Sequence, residues 1–226
     1  MAGHPLDNPV WNALQGPHRH FKVEAGRFVR YRDDVNLFAG AEDPSLGVEG
    51  LVEVLPPGTM VGLVTPQAVP VPKGAEVIEI ARVPQMMAET LRPAEATFDL
   101  VPLGDNHVPA MLELTGLTHP GPFLNRTIEM GRYLGIFDGK RLVAMAGERM
   151  SIPGFTEVSA VCTHPAYQGR GYAKVLVSAI AGGIVARGLT PFLHVRASNA
   201  VAIGAYEKLG FTIRHEMTFT VLKRPD

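Results

Sequence analysis

The sequence predicts a mixed α/β fold in which antiparallel strands lead into a parallel pair, and three observations predict it. From Phe98 onward, apolar runs of strand length alternate with longer helical runs. The stretch YLGIFDGKRLVAMAGERM reads as a hairpin, because two apolar strands flank Asp138-Gly139, a dipeptide that tolerates the positive φ of a tight turn. FTEVSAVCT, the apolar helix YAKVLVSAIAGGIVARG and PFLHVRA then follow as strand, helix and strand, and a helical crossover requires its two strands to be parallel.

In chain order, residues 1–95 form an N-terminal α/β region of irregular texture. Asn8 and Pro9 start a short helix to Gln15, and RFVRY, TMVGLVT and AEVIEIARV are its strand candidates. Pro56, Pro57, Pro66, Pro70 and Pro72 keep its elements short. Residues 97–226 form the regular region. FDLVPLG is a strand, Asp105 caps a helix through HVPAMLELTGL, THPGP turns, and FLNRTIEMG is a second helix. After the hairpin and the strand–helix–strand unit, NAVAIGAYEKLG is a helix closed by Gly210, and FTIRHEMTFTVLKR is one long strand or a strand pair.

Composition narrows the function. The 226 residues carry a net charge of −1 with both signs interspersed, which offers no footprint for nucleic acid or an anionic membrane. A single cysteine, Cys162, rules out an internal disulfide and any multi-cysteine metal site, and neither His164 nor His194 has a second ligand following at a helical or turn spacing, so no metal is expected. MAGHPLDNPV lacks the regions of a signal peptide, and VLVSAIAGGIVA is too short to span a bilayer. A cytoplasmic, soluble protein is the expectation.

The motif that carries chemistry is VCTHPAYQGRGYA, between a strand and a helix. A phosphate-binding P-loop would need Lys and Ser or Thr after Gly171, where Tyr172 and Ala173 stand, and a dinucleotide fingerprint would need glycine where Lys174 stands. A helix N-terminus with bare amides fits better. Gly169, Gly171 and Ala173 let a pyrophosphate approach the backbone, Arg170 adds charge and Gln168 an amide donor. A simple tight turn is the alternative on the local motif alone.

Gln168-Gly169-Arg170-Gly171-Tyr172-Ala173 resembles the Gln/Arg-x-x-Gly-x-Gly/Ala signature of the GNAT superfamily of acyl-CoA-dependent N-acetyltransferases. SNAVAIGAYEKLGF resembles its second signature at Asn199, Ala202, Tyr206, Gly210 and Phe211, and the element order from Phe98 to Arg224 is similar. The resemblance implies a GNAT-like central sheet flanked by helices, with acetyl-CoA as co-substrate. Backbone groups of Val161, Cys162 and Thr163 would line its pantetheine arm, the amides from Gln168 through Gly169, Arg170, Gly171, Tyr172 and Ala173 would hold its phosphates, and Asn199 would also contact it.

Strand alternation puts Glu157, Ser159, Val161 and Thr163 on one face, with Glu157 the only ionisable group there. Glu157 looks like the family's strand glutamate that serves as general base. Tyr206 lies two helical turns after Asn199 and faces the same way, and the family's matching tyrosine protonates the CoA sulfur. Cys162, opposite Glu157 on the strand, reads as a buried structural thiol, His164 as a loop residue, and His194 as facing core or cleft.

The expected function is transfer of an acetyl group from acetyl-CoA directly to an amine of a small molecule or peptide; the alternative is a catalytically silent acyl-CoA-binding regulatory module. Amino acids, small amines, peptide N-termini and lysine side chains all stay open as acceptors. Residues 1–95, read as a degenerate half copy of the same fold or an unrelated addition, have three open uses: covering a sheet edge, shaping the acceptor cleft, or forming a homodimer.

Overall fold

The computed structural model describes residues 3–44, 47–95 and 98–226; residues 96 and 97, where the two sequence regions meet, lie outside the described residues. The strands are β1 (Lys22–Ala25), β2 (Phe28–Tyr31), β3 (Ala39–Ala41), β4 (Met60–Thr65), β5 (Glu76–Met87), β6 (Val101–Leu103), β7 (Tyr133–Asp138), β8 (Arg141–Ile152), β9 (Phe155–Thr163), β10 (Thr190–His194) and β11 (Thr212–Lys223). The helices are α1 (Pro9–Gln15), α2 (Leu51–Val54), α3 (Val108–Thr118), α4 (Tyr172–Val185) and α5 (Ala200–Lys208). No helix among the described residues is long and apolar enough to cross a membrane.

A small antiparallel sheet, β1-β2-β3, accompanies an eight-stranded sheet in the order β4-β11-β5-β10-β9-β8-β7-β6. Among the described strands of that sheet only β9 and β10 pair in parallel, as the α4 crossover requires. The predicted mixed α/β sheet is therefore present. Strands from both sequence regions share it: β5 lies between β10 and β11, pairing with β11 from Thr212↔Met87 to Lys223↔Glu76. That placement carries residues of the first region to the mouth of the β9–β10 seam.

Several local expectations change. Asp105 lies within a 3₁₀ turn, Asp105–His107, that precedes α3, so His107, not Asp105, occupies the N-cap of α3. FLNRTIEMG makes only a 3₁₀ turn over Thr127–Met130, because the Thr127 hydroxyl accepts from Leu124 N–H and donates to the Val35 carbonyl, fixing the chain outside a helix. The hairpin turns at Gly139-Lys140, with Gly139 at φ 58°, and Asp138 pairs with Arg141 as the last rung. β11 is one long strand.

The apolar face of α4 buries Leu176, Val177, Ile180, Ala181 and Ile184 against β7–β10, while α3 buries Met111 and Leu114 on the opposite face. These two layers hold the strands that form the site between them.

Candidate active site

β9 and β10 pair only at Thr190↔Phe155, Pro191↔Thr156 and Phe192↔Glu157. Beyond Val158 they diverge, because β10 continues along β5, with Val195 N–H on the Pro84 carbonyl at 3.1 Å and Ala197 N–H on Arg82 at 3.0 Å. A cavity of about 320 Å³ opens in the split. Val158 to Thr163 line one side, and His194, Val195 and Arg196 line the other.

A bulge shapes the β9 wall. Ala160 has φ 52°, a left-handed conformation that costs an L-residue about 1–2 kcal/mol. The register with β8 slips between Met145↔Cys162 and Gly147↔Ser159. The strict alternation expected from 157 to 163 is thereby broken: Val158 and Val161 both pack beneath α4, while Ala160 and Cys162 pack with Met111 and Leu114 beneath α3. Cys162 is buried, its thiol pushed up to about 11 by burial, as suits a structural residue. The Thr163 hydroxyl is buried without a hydrogen-bond partner.

At the outer end, Gly169 (φ 77°) and Gly171 (φ 83°) take left-handed conformations in an exposed loop. Gly171 is the N-cap of α4 with no side-chain cap, and the first bond beyond it is Val175 N–H to the Gly171 carbonyl at 3.2 Å. The amides of Tyr172, Ala173 and Lys174 precede it at the positive end of the helix. Gln168 lines the cavity, whereas Arg170 and Gly171 border an adjoining surface depression with Lys174 and Phe98. Asn199 also lines the cavity and caps α5, accepting from Ala202 N–H at 3.1 Å.

Tyr206, on α5, lines the cavity; its low solvent contact pushes the phenol up to about 12. Its backbone is pinned by the helix end, where Phe211 N–H bonds the Tyr206 carbonyl at 3.1 Å. Gly210 makes that cap possible, with φ 95° and the Thr90 carbonyl oxygen 2.2 Å from where a Cβ would sit.

Glu157 has a setting the sequence did not disclose. Its side chain is 0% exposed and does not line the cavity. Arg149 donates through Nε to Oε2 at 2.7 Å and through Nη2 to Oε1 at 2.6 Å; His194 Nδ1 meets Oε1 at 2.7 Å, and Met150 N–H meets Oε2 at 3.4 Å. Burial alone would raise this carboxyl, but the Arg149 charge and hydrogen bonds, with those of His194, outweigh it and bring it down to about 2. A saturated, strongly acidic carboxylate is a poor direct proton acceptor, so Glu157, expected as the general base, stands here as a buried anchor of Arg149 and His194.

The anchor extends into the first region. Gln85, fully buried, donates through Nε2 to the Leu6 carbonyl at 2.9 Å and accepts through Oε1 from Arg214 Nη1 at 3.2 Å. Its second Nε2 hydrogen meets His194 Nε2 at 3.1 Å. His194 therefore accepts at Nε2 and donates from Nδ1 to Glu157.

Of the residues singled out in the sequence, Val161, Cys162, Thr163, Gln168, Asn199 and Tyr206 line one cavity, together with Arg149 and an apolar end made by Phe38, Val64, Val83 and Phe219 that the sequence did not point to. The signal for Arg149 was the charged pair Glu148-Arg149 after the apolar run Leu142–Ala146 of β8, in the hairpin arm opposite Glu157.

The chain is similar to several known proteins. Residues 133–220 match the family described as FR47-like protein. A crystal structure of a GNAT-family protein from Novosphingobium aromaticivorans is 40% identical, superposes with TM-score 0.91, and covers 99% of this chain and 100% of its own. A [ribosomal protein bS18]-alanine N-acetyltransferase from Salmonella typhimurium is 31% identical over 120 residues, 48% of this chain and 77% of its own. A mycothiol acetyltransferase from Corynebacterium glutamicum is 36% identical over 81 residues, so the match spans 35% of this chain and 28% of that relative.

Proposed function

Because the chain belongs to the GNAT family of acetyltransferases, we propose that it transfers an acetyl group from acetyl-CoA directly to an amine. The observation that carries this reading is the divergence of β9 from β10 into a cavity lined from Gln168, in the loop before α4, to Tyr206.

The exposed amides after Gly171, with Gln168, Gly169, Arg170, Tyr172 and Ala173, suit the CoA phosphates, and Arg170 supplies positive charge there. The β9 backbone from Val161 to Thr163 has no strand partner on the β10 side, and the orphaned Thr163 hydroxyl adds a free polar group, so this edge suits the amides of the pantetheine arm. Asn199 keeps its side-chain amide hydrogens for the same ligand.

In the reaction the amine nitrogen attacks the thioester carbonyl carbon; the C–N bond forms and the C–S bond breaks. Tyr206 gives its proton to the departing thiolate and regains one from the acylated ammonium nitrogen, so the net transfer is one proton from amine to thiol. A phenol held near 12 stays protonated at neutral pH, the state this step needs. Glu157 acts as a positioning residue, fixing Arg149 and His194 in the cavity wall.

The test is calorimetry with acetyl-CoA alongside thiol release over a panel of amines. Binding with amine-dependent thiol release supports the transferase. Binding with no release from any amine moves the reading to a silent acyl-CoA-binding module, and absence of binding rejects both.

A further inference from the structure

We propose that the acceptor is a free amino acid with an apolar side chain, its carboxylate held by the unengaged edge of Arg149; this rests on reading the cavity as an acyl-transfer site. A guanidinium carries five N–H donors in two usable edges. The Nε/Nη2 edge of Arg149 is spent on Glu157, while both Nη1 hydrogens and the second Nη2 hydrogen have no partner among the described residues. Arg149 lines the cavity with its side chain 10% exposed, so that second edge lies where bulk water solvates it little. It also faces the loop after α3: a Cβ built at Gly121 would lie 3.8 Å from Nη1.

The charges around the cavity select the sign of the ligand. Among the described residues no Asp or Glu lines it; Arg196, which does, is engaged by the Glu79 carboxylate, so the cationic donors left for a ligand are those of the second Arg149 edge. A polyamine or a basic side chain would find no counter-charge there, but a carboxylate finds a planar fork matched to its two oxygens. Beside that fork lies apolar surface from Phe38, Val64, Val83 and Phe219, and the Arg149 Cζ stands 4.8 Å from the Phe38 ring centroid. An amino acid bound by its carboxylate at Arg149 directs an apolar side chain to this end and keeps its amine one carbon away. A peptide N-terminus has a neutral amide where the fork expects an anion. Phe38, Val64 and Val83 come from the first sequence region, so the proposal also says what that region does: it builds the acceptor end.

The experiment is calorimetric titration of the whole protein with N-acetyl-leucine and N-acetyl-phenylalanine, with their neutral carboxamides, and separately with acetyl-CoA. The expected result is binding of the carboxylates at least ~10-fold tighter than of the carboxamides, the effect of a charged hydrogen-bonded contact. Arg149→Lys, checked for folding by circular dichroism, keeps the charge but loses most of that preference. Carboxamides binding as tightly as the acids overturns the proposal, as does failure of both to bind. The two readings separate cleanly: carboxylate preference in a protein that ignores acetyl-CoA sustains this site and rejects acyl transfer, while acetyl-CoA binding without carboxylate preference does the reverse.

Discussion

Arg149 and Glu157 meet edge to edge across β8 and β9, with both carboxylate oxygens within 2.7 Å of the guanidinium and the carboxylate wholly buried. Such a pair stabilises little over apolar residues, but removing one partner strands the other charge in a low dielectric. Glu157→Gln is expected to cost ~3–5 kcal/mol in urea denaturation, and pairing Arg149→Met with Glu157→Leu to recover at least half of that loss. A single variant no less stable than the native protein would show the pair to be solvated. The linkage sign is that of a depressed carboxyl: its stabilisation is present above its ordinary 4.5 and is lost as pH falls towards about 2.

Tyr206 makes no side-chain hydrogen bond among the described residues, so removing its hydroxyl leaves no stranded partner. Tyr206→Phe is expected to lower kcat by ~10²–10⁴ while the calorimetric Kd for acetyl-CoA holds. Unchanged turnover would remove the phenol from the proton transfer.

Gly171 holds φ 83° with open space where a Cβ would go, so its requirement is conformational and not steric. Gly171→Ala is expected to cost ~1–2 kcal/mol in thermal unfolding, or to relax the loop and weaken acetyl-CoA binding instead. A variant with both stability and Kd intact would show that this conformation has no part in binding.

His18 is buried with Nδ1 2.9 Å from the Tyr31 hydroxyl, and burial, helped by the nearby His20, lowers it to about 4. Between that value and its ordinary 6.5 the unfolded chain binds the extra proton, so stability is full above 6.5 and falls as pH drops towards 4. The melting temperature should decline across that window in the native protein and much less in His18→Asn. Equal slopes would place the effect elsewhere.

Legibility followed the range of the interaction. The α4 N-terminus, with Gly169 and Gly171, was readable because left-handed glycines before an apolar helix are a local pattern. Tyr206 was readable because two helical turns align it with Asn199. The Asp105 cap was misread because a 3₁₀ turn over Asp105–His107 intervenes and leaves His107 at the N-cap of α3. The phase of β9 was misread because alternation assumes an unbroken ladder, and the bulge at Ala160 shifts it.

Alone, the sequence determined the mixed α/β class, the strand–helix–strand unit and the loop that suits a phosphate, since each depends on propensities within a few residues. Only the tertiary structure decided that Glu157 is sealed, that Arg149 shares the cavity with Tyr206, and that β5 from the first region stands between β10 and β11. Those facts turn on pairings such as Gln85 with His194, residues distant in the chain, and the free energy of a buried charge is set by what surrounds it rather than by its neighbours in sequence.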